Sequence, residues 1–251
     1  MKQILPLFGA FLFMSCAVSV RVPGNRFQTP ETLAPKKVSV GVGRAGMAKV
    51  ELTSDFTRHY VGERDFALTY SSSAHGSFGV GVHDRVEFGA FYNYESSTSL
   101  YGKIKISDNE IGQGHRLIFS GVLSLGLSAD SKDEVQTGSL KDEIDLSYFT
   151  YDAGLLLGYT LNEDFMLYSG IYYLEMSASG KQIINGVQKD VEATIASPSV
   201  VYGFSYKISR IIDFIAEGSY SRVGASAQED DSFPDRFKRN IHSWGVKFNF
   251  H

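Results

Sequence analysis

The sequence has little cysteine and little proline, and it carries no excess of positive charge. Its single cysteine, Cys16, excludes a disulfide framework and a cysteine-rich zinc site. Four of its six prolines fall within the first 35 residues, which leaves only Pro198 and Pro234 in the rest of the chain. A formal net charge of −4 excludes the basic surface typical of nucleic-acid binding, so we expect no nucleic-acid partner.

Glycine, phenylalanine and tyrosine are abundant. The chain of 251 residues contains 25 glycines, 18 phenylalanines and 14 tyrosines. Hydrophobic residues make up 43% and charged residues 21% of the chain, which excludes intrinsic disorder and provides for a sizeable core. A long body that is poor in proline and rich in glycine and aromatic residues favours β-sheet.

The N-terminus has the pattern of a secretory signal peptide. Lys2 precedes an apolar run over residues 4–14, which ends at Ser15-Cys16-Ala17. This run is too short to span a bilayer as a helix, which takes about 20 residues. Leu12-Phe13-Met14-Ser15-Cys16 resembles a bacterial lipobox, which implies cleavage after residue 15 and lipidation of Cys16. Ordinary cleavage after Ala17 is the alternative, so the signal peptide covers residues 1–15 or 1–17.

Residues 16–35 contain three prolines and no clear period. This composition favours a flexible periplasmic linker that precedes the folded body.

Period-two alternation dominates from about residue 36 onward. In Val86–Tyr94 and in Ile212–Tyr220, apolar and aromatic residues occupy every second position. No comparable stretch follows a helical period, so we predict an all-β fold. Ten strands are predicted, with eight or twelve as alternatives, at about 37–52, 65–82, 86–94, 99–107, 116–129, 146–161, 165–177, 191–208, 212–223 and 240–250.

Short and long connections alternate along these strands. Short turns are predicted at 83–85, 162–164 and 209–211, and long polar loops are predicted at 54–64, 130–145, 178–190 and 224–238. Most strands reach the 9–11 residues that a tilted strand needs to cross a bilayer. The pattern predicts a closed antiparallel up-and-down transmembrane β-barrel with both chain ends on the side of the short turns.

The two faces of the predicted strands differ in polarity. One face is apolar and rich in tyrosine, whereas the other alternates glycine and serine with charged residues. A barrel in lipid needs apolar side chains outside, whereas a soluble barrel around a ligand would point its aromatic side chains inward. The predicted charges inside the barrel, which should pair and fill a narrow lumen, are Arg85, Glu87, Lys103, Lys105, Arg116, Asp152, Asp213, Glu217 and Lys247.

The C-terminal residues Ser243–Phe250 resemble the assembly signal of bacterial outer-membrane β-barrels. The matching positions are Gly245, Phe248 and Phe250, and the chain departs from the pattern by one further residue, His251. The resemblance covers residues 36–251 and implies a small barrel in a Gram-negative outer membrane, with periplasmic termini and extracellular long loops. It also implies contact with outer-membrane lipids and lipopolysaccharide, and with the barrel-assembly machinery during biogenesis.

Two short motifs permit chemistry without requiring it. Gly41-Val42-Gly43-Arg44-Ala45-Gly46 fits the dinucleotide fingerprint, but no helix or βαβ unit is predicted after it. His75-Gly76-Ser77 with Glu87 resembles the arrangement of outer-membrane lipid A deacylases, in which histidine activates a serine.

Acidic residues and a histidine also allow a resemblance to outer-membrane aspartate-type proteases. The candidates for the extracellular rim are Asp55, His59, Asp65, Asp145 and Asp152. The acidic segment 130–145 lacks the order of a calcium-binding loop. We therefore predict no catalytic residue, metal or cofactor.

The sequence predicts a non-enzymatic outer-membrane barrel that supports the envelope or presents loops for surface contact. A narrow channel or small-molecule transporter is the alternative, and a barrel enzyme that acts on lipid A or peptides is a further one.

Overall fold

The computed structural model describes residues 18–52, 68–94, 96–112, 114–137, 140–184, 187–228 and 237–251. The predicted signal peptide, Cys16 and three of the rim candidates (Asp55, His59 and Asp65) lie outside these residues. The described chain is all-β. Its strands are β1 (Val18–Pro23), β2 (Val38–Leu52), β3 (Leu68–His83), β4 (Val86–Asn93), β5 (Thr98–Gly112), β6 (His115–Thr137), β7 (Leu140–Thr160), β8 (Phe165–Ile184), β9 (Val187–Ser209), β10 (Ile212–Gln228) and β11 (Phe237–Phe250).

Ten of these strands form a closed barrel. Each strand from β2 to β11 pairs antiparallel with the next along the chain, and β11 returns to pair with β2, where Phe250 lies opposite Val40. The prediction of a closed antiparallel barrel of about ten strands is therefore confirmed. β1 is an additional strand that pairs with β2.

The register of the pairings fixes the tilt of the strands. Following the paired residues from Val40 on β2 across all ten wall strands leads to Lys238 on β11. Where β11 closes the barrel against β2, however, Val40 pairs with Phe250, twelve residues further along β11, and this offset is the shear of the barrel. With standard strand spacings, this shear tilts the strands by about 40° from the barrel axis, which is typical of ten-stranded closure.

Side-chain burial follows the alternation of the sequence, with apolar groups outside. On β9, the outward Val200, Tyr202 and Tyr206 are exposed, whereas the inward Ser199 and Ser205 are buried. The two most exposed of the large apolar side chains are the outward Leu100 on β5 and Leu127 on β6. This arrangement is the inverse of that of a soluble barrel, whose apolar side chains point inward. Apolar outer faces are suited to a non-aqueous surrounding.

Aromatic residues form two bands on the outer face. Near the short turns, the rings of Phe165, Phe204, Phe214 and Phe248 follow one another at centroid distances of 5.6, 5.9 and 5.4 Å. Six to eight residues further along their strands lie exposed tyrosines, among them Tyr173 on β8 and Tyr220 on β10.

The two ends of the barrel differ in the length of their hairpins. At one end, hereafter the short-turn end, the chain reverses at residues 84–85, 161–164 and 210–211. At the other, the long-hairpin end, β6–β7 and β8–β9 extend as paired strands to Thr137 and Ile184. The predicted long loops at 130–145 and 178–190 are therefore mostly strand, because polar residues continue the ladder beyond the apolar belt.

The N-terminal segment differs from the predicted linker. β1 pairs with β2 from Val18 opposite Leu52 onward, and Val20 and Val22 are each only 1% exposed. β1 occupies an edge that β11 leaves free, because β11 pairs with β2 over five residues only, at positions 40–44 of β2. The apolar alternation of Val18-Ser19-Val20-Arg21-Val22 matches this edge, whereas the linker prediction rested on the prolines that follow.

The start of the described chain also lies at an unexpected end. Val18 is at the long-hairpin end, beside Leu52, whereas Phe250 is at the short-turn end, beside Ile212. The expectation that both chain ends share the short-turn side is wrong for the described residues, because the chain from β1 to β2 passes through the barrel.

Candidate functional site: the filled lumen

Residues 24–35, hereafter the lumen segment, run inside the barrel from β1 to the short-turn end. Near its start, the amide of Gly24 donates to the carbonyl oxygen of Gly46 at 2.9 Å. Near its end, the hydroxyl of Thr32 donates to the carbonyl oxygen of Asp84, in the β3–β4 turn, at 3.0 Å. Residues 24–28 are buried, so this part of the chain fills the middle of the lumen.

The carboxylate of Glu217 holds the lumen segment from β10. It accepts hydrogen bonds from the amides of Arg26 and Phe27, at 2.7 and 3.1 Å, and from the hydroxyl of Tyr168, at 3.0 Å. The side-chain amide of Asn25 adds a bond to the carbonyl oxygen of Glu217, at 2.9 Å. Because Glu217 is 1% exposed, these donors replace its hydration, as a buried carboxylate requires.

Arg26 forms an ion pair with Asp152 on β7. Its Nε lies 3.0 Å from an Asp152 carboxylate oxygen, and both side chains are at least nine-tenths buried. Its Nη1 donates to the carbonyl oxygens of Pro23 and Gly24, which folds the side chain back over the start of the lumen segment. The guanidinium also lies 5.3 Å from the centre of the Tyr172 ring.

Glu87 holds the lumen segment nearer the short-turn end. Its carboxylate accepts from the amide of Leu33 at 2.9 Å and from the hydroxyl of Tyr101 at 2.7 Å. It also pairs with Lys103 at 3.0 Å, and that lysine donates to the carbonyl oxygen of Thr29 at 3.3 Å. Side chains of the wall therefore hold the segment mainly through its backbone groups.

Glycine and small side chains make room for the segment. A Cβ atom on Gly245 would lie 2.4 Å from the ring of Phe27, which packs between β11 and the ring of His75 at 5.0 Å. The hydroxyl of Ser120 donates to the carbonyl oxygen of Pro30. Gly41 leaves the space taken by the side chain of Lys247.

The buried charges balance only when the segment is included. Among the described residues, the barrel wall buries three acids and two lysines, and Arg26 of the lumen segment is the third cation. The segment thus neutralises the formal charge that the wall buries, and it also fills the lumen. The wall residues are Glu87, Asp152, Glu217, Lys103 and Lys247.

Other predicted lumen charges lie toward the short-turn end. Arg85 is exposed in a turn, and Asp213 contacts His251. Arg116 pairs with Asp108 and, at 3.4 Å, with Glu31 of the lumen segment. This group lies near the β5–β6 turn, past the outward Ile104 and Ile106 of β5, and the hydrogen bond from Arg116 lowers the pKa of Asp108 to about 2.

The residues considered for catalysis are not brought together. His75 pairs through Nδ1 with the side chain of Asn93 at 2.8 Å, whereas the partners of Glu87 are Leu33, Tyr101 and Lys103. Asp152 lies inside the lumen with Arg26 rather than at the rim, and for Asp145 the structure describes only the backbone, within β7.

The described residues support neither a dinucleotide site at the glycine motif nor a metal site. The glycines of the dinucleotide-like motif lie on β2, which continues as a strand through Leu52. No group of three or more histidine, cysteine, aspartate or glutamate side chains suited to a metal is found there. No helix in the described part of the chain is long and apolar enough to cross a membrane.

The sequence did not identify the lumen segment. Arg26 and Phe27 stand among prolines and polar residues without a period, so nothing local predicts their burial. The indirect signal was the wall itself, where Gly81, Gly158 and Gly245 leave space for the segment in a narrow barrel.

The comparisons found no matching family model and no matching curated protein. Among solved structures, the chain is similar to the attachment invasion locus protein Ail of Yersinia pestis, at 13% identity and TM-score 0.33, covering 86% of this chain and 98% of that one. It is similar to Neisserial surface protein A, at 15% identity and TM-score 0.35, covering 84% and 95%. It is also similar to the outer membrane protease OmpT of Escherichia coli, at 10% identity and TM-score 0.40, covering 94% and 95%.

Proposed function

We propose that this protein is an outer-membrane β-barrel of a Gram-negative bacterium with a closed lumen, and that it acts through its exterior. Its apolar outer belt with two aromatic bands and its charged interior support this location, because a bilayer demands that polarity. In this role it stabilises the envelope or presents its long hairpins for surface contact.

The orientation follows from the same proposal. The short turns face the periplasm and the β6–β7 and β8–β9 hairpins face outward, as in barrels with long extracellular connections. Phe248 and Phe250 lie on the outer face of β11, about 40% exposed, where the assembly machinery would read them. Outer-membrane lipids and lipopolysaccharide then contact the apolar belt.

The filled lumen is the observation that carries the proposal. A ten-stranded barrel has little internal space, and residues 24–28 occupy its middle with no exposed side chain among them. An open channel would need this segment to leave three wall carboxylates that accept or pair with its groups. We therefore favour a structural or contact role over the channel alternative.

Conductance in planar bilayers tests the closed lumen. We expect no steady openings from the wild-type protein, and reproducible openings from a variant that lacks residues 18–34. A heat-dependent shift in semi-native gel mobility checks that both proteins are closed barrels. Steady openings from the wild-type protein would overturn the proposal in favour of a channel.

The absence of enzymatic activity is tested at the remaining serine–histidine candidate. The carboxylate of Glu87 accepts hydrogen bonds from Leu33 and Tyr101 and pairs with Lys103, so it does not orient His75. We expect Ser77→Ala to leave lipid A acylation unchanged, as measured by mass spectrometry of extracted lipid. A change in acylation would support the enzyme alternative.

We also propose that the precursor carries a signal peptide and that Cys16 is lipidated. The lipobox-like sequence before Cys16 supports this. Metabolic labelling with a tagged fatty acid should label the wild-type protein, and Cys16→Ser should remove the label. Equal labelling of both proteins would contradict lipidation.

A further inference from the structure

The path of the chain before β2 fixes where the processed N-terminus emerges. From Lys36, whose amide donates to Gly81 at the short-turn end, the chain runs back through the lumen segment to β1 and Val18 at the long-hairpin end. It therefore spans the barrel once more, inside the wall, in addition to its ten wall strands.

The lumen segment and β1 contact the wall along its whole height, from the short-turn end to the long-hairpin end. Thr32 is held at the β3–β4 turn and Pro30 at Ser120, both near the short turns. Arg26 is held at mid-height by Glu217 and Asp152. Val22 and Val20 pair opposite Ala48 and Val50 near the other end.

The few residues before β1 cannot return to the short-turn end. Either predicted cleavage site leaves at most two residues ahead of Val18, which span about 7 Å when extended. β2 alone has 15 residues, or about 50 Å at the rise of a strand. The lumen is also already occupied by the lumen segment.

We infer that the mature N-terminus is presented on the same face as the long hairpins, opposite the C-terminus. Under the proposed orientation, on which this inference rests for its cellular side, that face is the cell surface. The N-terminus then belongs to the contact surface of the protein, next to the β4–β5 connection, where the hydroxyl of Ser96 donates to the carbonyl oxygen of Arg21 at 3.1 Å. A group attached ahead of β1 would be displayed outside the cell rather than in the periplasm.

Epitope tags at three positions test the inference in the full-length protein in cells. One tag is inserted between residues 17 and 18. Control tags are placed at residues 185–186, between β8 and β9, and at residue 113, between β5 and β6. Antibody binding is compared on intact and permeabilised cells, and the gel-mobility shift checks that each tagged barrel is closed.

The N-terminal tag should behave like the β8–β9 tag and be detected on intact cells, whereas the β5–β6 tag should need permeabilisation. An N-terminal tag that behaves like the β5–β6 tag would overturn the inference. If the two control tags exchange their behaviour, the proposed orientation fails, while the side shared by the N-terminus and the long hairpins is still read directly.

A cysteine pair tests the position of β1 without a tag. Val20 and Val50 lie directly opposite each other, so Val20→Cys with Val50→Cys should form a disulfide under mild oxidation. Val20→Cys with Val80→Cys, which places the second cysteine near the short turns, is the matched control and should not. Equal cross-linking in the two variants, or none in the first, would also overturn the inference.

Discussion

The two ends of the lumen hold one continuous stretch of chain by different means. At the long-hairpin end, Val20 and Val22 of β1 pack into an apolar cluster that includes Leu174, Met176 and Ile195. From mid-height to the short-turn end, the lumen segment is instead held by three carboxylates and their hydrogen bonds. Apolar packing is tolerant of position, whereas hydrogen bonds to amides of single residues are not.

This difference indicates that the apolar and the charged contacts have different structural roles inside the barrel. Packing around β1 closes the long-hairpin end, where β11 no longer pairs with β2 and a free strand edge would otherwise remain. The charged contacts fix the register of the segment, because each carboxylate receives particular donors. Variants of the charged contacts and of the apolar cluster should therefore differ in how much stability they lose. They should also differ in how much of that loss a second substitution restores.

The largest effect is expected from Arg26→Ala. It leaves Asp152 buried without a cation, which typically costs about 3–5 kcal/mol, whereas replacing both partners by apolar residues is often neutral. Arg26→Met with Asp152→Leu should therefore recover most of the loss. The free energy of unfolding in urea can be followed through the fluorescence of Trp244, the single tryptophan. Equal losses in the single and double variants would contradict the role of the ion pair.

The next largest effect is expected from Gly245→Ala. The added Cβ would lie 2.4 Å from the Phe27 ring and 2.7 Å from the carbonyl oxygen of Arg44, an overlap that costs about 2–3 kcal/mol. Gly76→Ala is the matched control, because nothing lies within 4 Å of its Cβ position. The same urea titration should show a loss for the first variant alone. A comparable loss at Gly76 would mean that barrel glycines matter for another reason than the segment.

A smaller effect is expected from Val22→Ala at the long-hairpin end. The substitution removes two buried methyl groups, worth about 1.5 kcal/mol, from the cluster around β1. Val22→Ile, which keeps the cluster apolar, should be tolerated better than any polar change. A loss as large as that of Arg26→Ala would show that packing, rather than charge, fixes the segment.

The sequence predicted the wall of the barrel but not its filling. Alternation in stretches such as Val86–Tyr94 repeats a physical requirement at every second residue, so strand positions and outward faces could be deduced. The partners of Glu217 could not, because Arg26 and Phe27 are about 190 residues away in the chain and carry no local pattern. Charges on a wall strand predicted a polar interior, but their partners depend on the three-dimensional path of the N-terminus.

The smallest effect is expected from Asp108→Asn, at the rim of the short-turn end. Its pKa of about 2 in the folded protein is lower than its ordinary value, so its contribution to stability is present above pH 4 and is lost as the pH falls toward 2. Asp108 is partly exposed and its partner Arg116 more so, and solvent therefore reduces the value of their pairing to less than about 1 kcal/mol. Urea titrations at pH 7 should show a small loss for Asp108→Asn, and the difference from the wild-type protein should shrink near pH 2.5. A loss that matched Arg26→Ala would mean that the charges at the rim, rather than those in the middle of the lumen, keep the segment in place.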